Sequence, residues 1–274
     1  MVGSTFDPAV SMTTDRLPAE GINTLAGRRF GGVARTWGDA GAQRIAQAHV
    51  VVVGVGGVGS WAVEALARCG VGILTLIDLD QVAESNINRQ VQALESTLGA
   101  AKVQVMAERI KQISPASQVF GVEEFIDPAN VAELVPESAH AVIDAIDAPR
   151  AKAALIALCV GRGQPIQVCG AAGGRTDPLA LVRSDLALTR ADALLASVRA
   201  RLRRDHGFSR EPQRPFGVPA LWSPAPPSAP SPPASLSEAG APLACAGYGS
   251  VVMVTAAMGF AAAAGAVDAV LARR

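Results

Sequence analysis

Residues 49–59 read His49-Val-Val-Val-Val-Gly-Val-Gly-Gly-Val-Gly59, and a helical pattern follows from Ser60 to Cys69. The apolar run predicts a buried strand, and the glycines predict a tight turn that opens a helix. In that setting each glycine has a reason. Gly54 permits the turn, Gly56 lets the backbone approach a phosphate, and Gly59 lets helix and strand pack closely. The helix N-terminus then offers unpaired N–H groups and a partial positive charge to an anion. A glycine turn alone is a weak signal, because an unoccupied structural turn reads the same way. Here a second apolar run, Gly72 to Asp78, ends in Asp78-Leu79-Asp80. That is the distance from Gly54 at which a ribose-binding acid is expected. The two runs together predict a nucleotide site.

Outward from this unit, strands and helices alternate. A helix is expected over Gly99–Ile113, where Val103, Met106, Ile110 and Ile113 form one stripe before Pro115. Further strands are expected near Val119–Val122, Ala141–Ala145 and Ile166–Gly170, with helices near Asn130–Val135 and Arg150–Arg162. Upstream, Arg28–Gln47 reads as one or two short helices. Strands this apolar, joined by helices, predict an α/β fold with a doubly wound, mainly parallel, Rossmann-like sheet. After Gly174 the pattern loosens. Leu179–Val182 reads as an added strand, possible in antiparallel sense, Arg190–His206 as a basic helix, and Val251–Val267 as a C-terminal apolar helix. The segment Pro224–Pro242 is dense in Pro, Ser and Ala, which predicts a flexible loop. The helix beyond it could not fold alone, so the loop is no domain boundary. The expected organisation is a flexible tail over 1–27 and one domain over 28–274.

The chain has 274 residues, half of them apolar, and no net charge. A sizeable core is available, and no global pull toward nucleic acid or membrane is implied. Its four cysteines, Cys69, Cys159, Cys169 and Cys245, form no CxxC pair, and there are three histidines. That argues against a disulfide scaffold or a four-thiolate zinc site, and oxygen ligands are expected for any metal. Residues 1–28 carry no apolar signal core, and a cytoplasmic location is expected. The stretch between Glu238 and Asp268 carries no charge and approaches the length of a membrane span. Its richness in Ala and Gly favours a helix buried on the sheet, with membrane contact as the alternative.

Polar residues crowd the region beyond the second strand: Asp78, Asp80, Ser85, Asn86, Asn88, Arg89 and Gln90, followed by Lys102. Asp144 and Asp147 stand at and just after the end of another strand. In a doubly wound sheet these places share the carboxyl edge, around the switch-point crevice. Cations and carboxylates gathered there suit a triphosphate with a divalent cation better than a nicotinamide. Several positions keep a second reading. Asp80 could cap a turn, Asn88 and Gln90 could serve loop hydrogen bonds, and Asp144 could orient its loop. Cys245 reads either as a sulfur-accepting nucleophile or as a small buried residue, and Cys169 reads as core.

RFGG at 29–32, GVGGVGSW at 54–61, IDLD at 77–80, SNINRQ at 85–90, GAAKV at 99–103 and VIDAID at 142–147 carry a resemblance. Over Arg29–Gly174 the chain resembles the ubiquitin-activating-enzyme-like superfamily of ThiF and MoeB. Within it, RFGG, MAERIKQI at 106–113, the run at 142–159, GAAGGRTDP at 170–178 and CAGYGSVVMVTA at 245–256 are most similar to the tRNA threonylcarbamoyladenosine dehydratases, the TcdA or CsdL family. The resemblance implies ATP-dependent adenylation of the threonylcarbamoyl carboxylate on tRNA, then ring closure. It implies that Gly57, in the turn formed with Gly54, Gly56 and Gly59, meets the nucleotide. Asp78 would bind the ribose with Asp80 beside it, Asn86 and Arg89 would reach phosphates with Asn88 beside them, and Lys102 would stabilise the triphosphate. Asp147 would hold magnesium. A homodimer is implied, with Arg35, or else Arg29, reaching the partner's phosphates; Gly32 stands where MoeB relatives carry an arginine. A sodium or potassium ion near the Gly170–Gly174 loop and a sulfur-relay protein partner belong to the same implication. Missing CxxC pairs weaken the other reading, activation of a sulfur-carrier or ubiquitin-like protein.

From Arg183 to Arg214 eight arginines face four acids, with Arg199, Arg201, Arg203 and Arg204 close together. A solvated helix face and a tRNA-phosphate surface both fit this pattern.

Overall fold

The computed structural model describes residues 25–212, 214–228 and 248–273. Among them, seven strands form one sheet: β1 His49–Val53, β2 Ile73–Ile77, β3 Gln118–Val122, β4 Ala141–Asp144, β5 Ile166–Cys169, β6 Val182–Asp185 and β7 Pro219–Trp222. Their spatial order is β3-β2-β1-β4-β5-β7-β6. Every pairing is parallel except β6 with β7. The helices are α1 Leu25–Gln47, α2 Gly59–Arg68, α3 Lys102–Ile113, α4 Val131–Leu134, α5 Pro149–Gly161, α6 Ala193–Asp205 and α7 Val252–Ala272. β1 lies between β2 and β4, so the chain order reverses there and opens the crevice where ligands of such sheets bind.

The sheet separates two cores. Val50 and Val52 of β1 pack with Leu66, Met106, Met258 and Ala262 on one face. Val51 and Val53 pack with Leu155, Ile156, Leu195 and Leu202 on the other. Side chains alternate across a strand, so a strand buried on both faces must be apolar throughout. α3 buries Val103, Met106 and Ile110, the expected stripe, and α5 starts at Pro149, whose fixed φ suits a first helical position. α1 starts at Leu25, three residues before its expected start, and breaks at Gly38, where φ is 73°. It is therefore two helices, as the sequence allowed. Arginines tie helices together at their C-terminal carbonyls: Arg29 donates to Gln112 O and Ile113 O of α3, and Arg44 to Leu271 O of α7.

α7 is long and apolar enough to cross a membrane by length and composition. One of its faces nonetheless lies in the core, through Val254, Met258, Ala262, Ala266 and Val270. A Cβ on Gly259 would stand 2.5 Å from Val58 O, so only glycine lets α7 approach the start of α2 this closely. Trp61 and Phe260 meet edge to face with centroids 5.8 Å apart.

The expected strand at Leu179–Val182 is displaced. Leu179 sits in a short 3-10 turn, Pro178–Ala180, and is 92% exposed, while the strand runs over Val182–Asp185. Its antiparallel partner β7 was unexpected. β7 pairs in parallel with β5 through Val168–Ala220 and Cys169–Leu221. The Asp185 carboxylate organises its approach by accepting from Ala187 N, Phe216 N, Gly217 N and Val218 N at 2.7–3.1 Å. A four-residue strand held by such distant partners carries no periodicity of its own. Residues 1–24 of the expected tail, residues 229–242 of the expected loop and Cys245 lie outside the described residues.

Candidate active site

Gly54 leaves β1 with φ 84°, in the region that side chains avoid. A Cβ there would stand 2.9 Å from Ala145 O, the residue following β4. At Gly59 a Cβ would fall 1.7 Å from Gly54 O, so the turn closes only with glycine at both places. Gly56 is different, because a Cβ there would meet nothing closer than Gln90 Nε2 at 3.9 Å. Its backbone faces space rather than protein, which fits approach by a ligand. A Cβ at Gly57 would stand 3.4 Å from Arg89 Cδ. No side chain caps α2; Ser60 N donates to Gly56 O at 3.0 Å, which leaves the Gly59 and Trp61 N–H groups of the first turn available to an anion.

Asp78 closes the floor of the crevice. Its Oδ2 accepts from Val55 N at 2.6 Å and its Oδ1 from Asp80 N at 2.9 Å. Burial pushes this carboxyl up, opposed by the nearby Lys102 ammonium and the two N–H groups. Each oxygen keeps a second lone pair for a ligand hydroxyl. Lys102 is buried at the start of α3 and pairs with Asp80 at 2.6 Å. Both readings of Asp80 thus meet a third: it is the counter-ion of Lys102.

Asn86 is buried and its Oδ1 accepts from Ala83 N at 3.1 Å, shaping the turn. Asn88 donates to Ser250 O at 2.7 Å and accepts from Arg89 Nη1 at 2.9 Å. Arg89 Nη1 also reaches Ser85 O, while the Arg89 carbonyl accepts from Trp61 Nε1 and Thr255 Oγ1. The Arg89 backbone is thereby pinned between α2 and α7. Gln90 is buried and its Oε1 accepts from Gln92 Nε2, which also donates to Val55 O.

Asp144 and Asp147 divide sharply. Asp144 is fully buried and pairs with the equally buried Lys152 at 2.8 Å. Lys152 Nζ also donates to Ile146 O at 2.9 Å and approaches Asp144 O. Burial pushes the Asp144 carboxyl up to about 6, with Lys152 pulling against it. This arrangement orients the loop, in line with the second reading of Asp144. Asp147 is exposed at the loop's tip and, among the described residues, has no hydrogen-bond or ion-pair partner. Lys152 escaped the sequence reading; its signal is a lone cation within the apolar run Ala151–Cys159.

No cluster of three metal-binding side chains occurs among the described residues. A magnesium ion held by one carboxylate and by phosphate oxygens needs no such cluster, so Asp147 fits that role. Arg35 is exposed on α1, its guanidinium lying beside Gly31 and Gly32 rather than against the glycine turn of its own chain. Arg29, the alternative to it, is committed to the C-terminus of α3. The described cysteines are free, and burial raises all three thiols, Cys159 and Cys169 to about 12. None is poised as a thiolate nucleophile. Within the expected arginine cluster, Arg204 pairs with Asp205, and the half-buried Arg201 has its Nε buried without a hydrogen-bond partner among the described residues.

Sheet order, glycine turn and clustered charge together define an α/β protein with a nucleotide crevice fitted to phosphate. The chain belongs to the ThiF family, whose signature matches residues 32–271. It is 45% identical to the tRNA threonylcarbamoyladenosine dehydratase of Escherichia coli over 90% of this chain and 94% of that protein. It is 43% identical to the enzyme of the same name from Haemophilus influenzae, over 90% and 95%. The crystal structure of the E. coli tRNA N6-threonylcarbamoyladenosine dehydratase in complex with ATP superimposes with a TM-score of 0.84 at 43% identity, covering 92% of this chain and 98% of that one.

Proposed function

We propose that the chain is an ATP-dependent tRNA threonylcarbamoyladenosine dehydratase. The observation that carries this is the near full-length likeness to the E. coli dehydratase that binds ATP, joined to a crevice with the charges an ATP site needs. In this reading a threonylcarbamoyl carboxylate oxygen attacks the α-phosphorus of ATP, and the bond to pyrophosphate breaks. An internal nitrogen or oxygen of the same group then attacks the activated carbonyl and AMP leaves, carrying away the carboxylate oxygen. The sum is loss of one water, with ATP converted to AMP and pyrophosphate. Adenylation gives a poor electrophile a good leaving group, and the intramolecular attack gains from proximity.

Each residue has a role in this scheme. Gly54 and Gly59 shape the turn, and Gly56 and Gly57 face the nucleotide. Asp78 accepts from the ribose hydroxyls with the lone pairs its backbone contacts leave free. Asn86, Asn88 and Arg89 border the phosphates. Lys102 turns from Asp80 toward the triphosphate, and Asp80 tempers its charge until ATP arrives. Magnesium, held by Asp147, would neutralise phosphate charge. Arg35 is supplied by a second copy of the chain, since it lies away from its own glycine turn. Hence the active form is a homodimer, and the cytoplasm supplies its tRNA. A sodium or potassium ion near Gly170–Gly174 and a sulfur-relay partner remain part of the proposal on resemblance alone.

The test uses purified protein, magnesium-ATP and tRNA carrying threonylcarbamoyladenosine. Nucleoside mass spectrometry should detect ATP-dependent loss of one water, with AMP and pyrophosphate formed in step. Pyrophosphate exchange with the C-terminus of a sulfur-carrier protein, and none with the tRNA, would overturn the reading.

A further inference from the structure

A second basic site lies outside the nucleotide crevice. A cavity of about 330 Å³ is lined by Arg190, Arg199, Arg203 and Arg210, together with Thr189 and Pro212 among its other walls. Among the described residues, no acidic side chain lines it. None of these four arginines makes an ion pair among the described residues. The acids of the same segment are committed elsewhere. Asp185 holds four backbone N–H groups, and Asp192 accepts from Ala171 N and Leu195 N. Asp205 pairs with Arg204, and Glu211 with Arg214.

Two of the four guanidiniums are also held in place. Arg199 hydrogen-bonds Thr189 Oγ1, while Arg203 Nε donates to Ser209 O at 3.1 Å and stacks 5.3 Å from the Phe216 ring centroid. Burial and the neighbouring Arg203 charge both pull the Arg199 pKa down, against an opposing pull from the Asp192 carboxylate, so the two arginines repel one another. Two fixed and two exposed guanidiniums around an open cavity match phosphate oxygens, which a guanidinium binds in a fork.

The position of the cavity separates it from catalysis. Asp192 caps α6 at the carboxyl edge of the sheet, where it meets Ala171. At 1.5 Å per residue, Arg199 and Arg203 lie roughly 10 and 16 Å along α6 from that edge. A phosphate seated there would belong to chain distant from the reacting nucleotide. Because the protein carries no net charge, attraction for a nucleic acid must come from a local cluster of this kind.

We propose that this cavity is a phosphate cradle that seats the sugar–phosphate backbone of the substrate tRNA, away from the nucleotide that reacts. The inference rests on the dehydratase reading above. Phosphate contacts fix orientation without reading sequence, so the cradle would set how the tRNA lies while the crevice acts on one nucleotide.

The experiment compares the full chain with two variants. R190Q/R210Q changes exposed arginines with no described side-chain bond. R199Q/R203Q changes the two that are held. Binding of substrate tRNA is measured by fluorescence anisotropy at several salt concentrations, and ATP binding by calorimetry. For each tRNA phosphate no longer neutralised, the slope of log affinity against log salt should fall by about 0.7–0.9, and affinity at moderate salt should drop about tenfold per variant. ATP affinity should stay unchanged, and the dehydration reaction should show raised KM for tRNA with kcat retained. Unchanged salt slopes in R190Q/R210Q, which is expected to fold normally, would overturn the cradle while leaving the dehydratase reading intact. Failure of the unaltered protein to act on the tRNA would instead overturn the dehydratase reading. A third arm titrates inorganic pyrophosphate. Variants that lose pyrophosphate binding but keep the tRNA slope would make the cavity a free-anion site and refute the proposal.

Discussion

Replacing Lys152 with Met should destabilise the protein strongly, and by an amount that depends on pH. Lys152 and Asp144 are both fully buried, and the ammonium divides its protons among Asp144 Oδ1, Asp144 O and Ile146 O. The other carboxylate oxygen, Oδ2, has no hydrogen-bond partner among the described residues. Removing the cation therefore leaves a buried carboxylate with nothing to compensate it, a loss of about 3–5 kcal/mol. For a chain of this size that corresponds to a fall in Tm of roughly 10 °C. The pH dependence follows from the carboxyl. In the intact protein burial raises the Asp144 pKa from 3.8 to about 6. A raised acid stabilises the fold fully below its unfolded value and loses that contribution as pH rises through the folded value. Without Lys152 the carboxyl rises further and the window moves up. The deficit from the uncompensated carboxylate should thus be smallest near pH ~5, where Asp144 is protonated with or without the lysine, and should grow as pH rises through about 6 toward the variant's higher pKa. Asp144→Asn combined with Lys152→Met should recover most of the loss, because neutral partners need no counter-charge. Urea melts of the three variants and the parent at several pH values test this. A Lys152→Met loss under about 1 kcal/mol, or one that does not vary with pH, would refute the claim that the pair is a desolvated ion pair.

Three further outcomes are expected. Asp147→Asn should abolish dehydration while leaving the melting curve unchanged, since this exposed carboxylate has no protein partner among the described residues; turnover within about twofold of the parent would remove it from the site. Asp185→Ala should cost about 2–4 kcal/mol in denaturant melts, because four backbone N–H groups lose one acceptor. Protection of β7 amides in hydrogen exchange should fall with it, and unaltered protection would show that β5 alone seats this strand. Light scattering should report a dimer, and Arg35→Ala should lower turnover without changing that dimer; full activity in a dilute monomer would exclude a residue supplied in trans.

The sequence discloses features whose cause is local and hides those whose cause is pairwise. Gly54 and Gly59 were legible because a backbone turn imposes its demand on single positions, and the structure puts a Cβ in collision at each. The stripe of α3 was legible because burial of one face repeats with the helix. Strand β7 was not, because its four residues take their place from β5 on one side and from the Asp185 carboxylate on the other. Charge follows the same division. That Arg89, Lys102 and Asp147 stand at one edge could be read from strand ends, since a doubly wound sheet sends every parallel strand to the same side. Which charges neutralise one another could not. Asp80 and Lys102 lie far apart in sequence and meet at 2.6 Å, and Asp144 is matched by a lysine inside an apolar helix. The arginines of 183–214 form one group in sequence, yet the fold pairs Arg183, Arg204 and Arg214 with acids, buries Arg201 Nε, and sets the other four around a cavity lined by no acid. The four that line the cavity without an ion pair are the ones with charge to offer a ligand. Composition counts all of them alike, and only the fold can make that distinction.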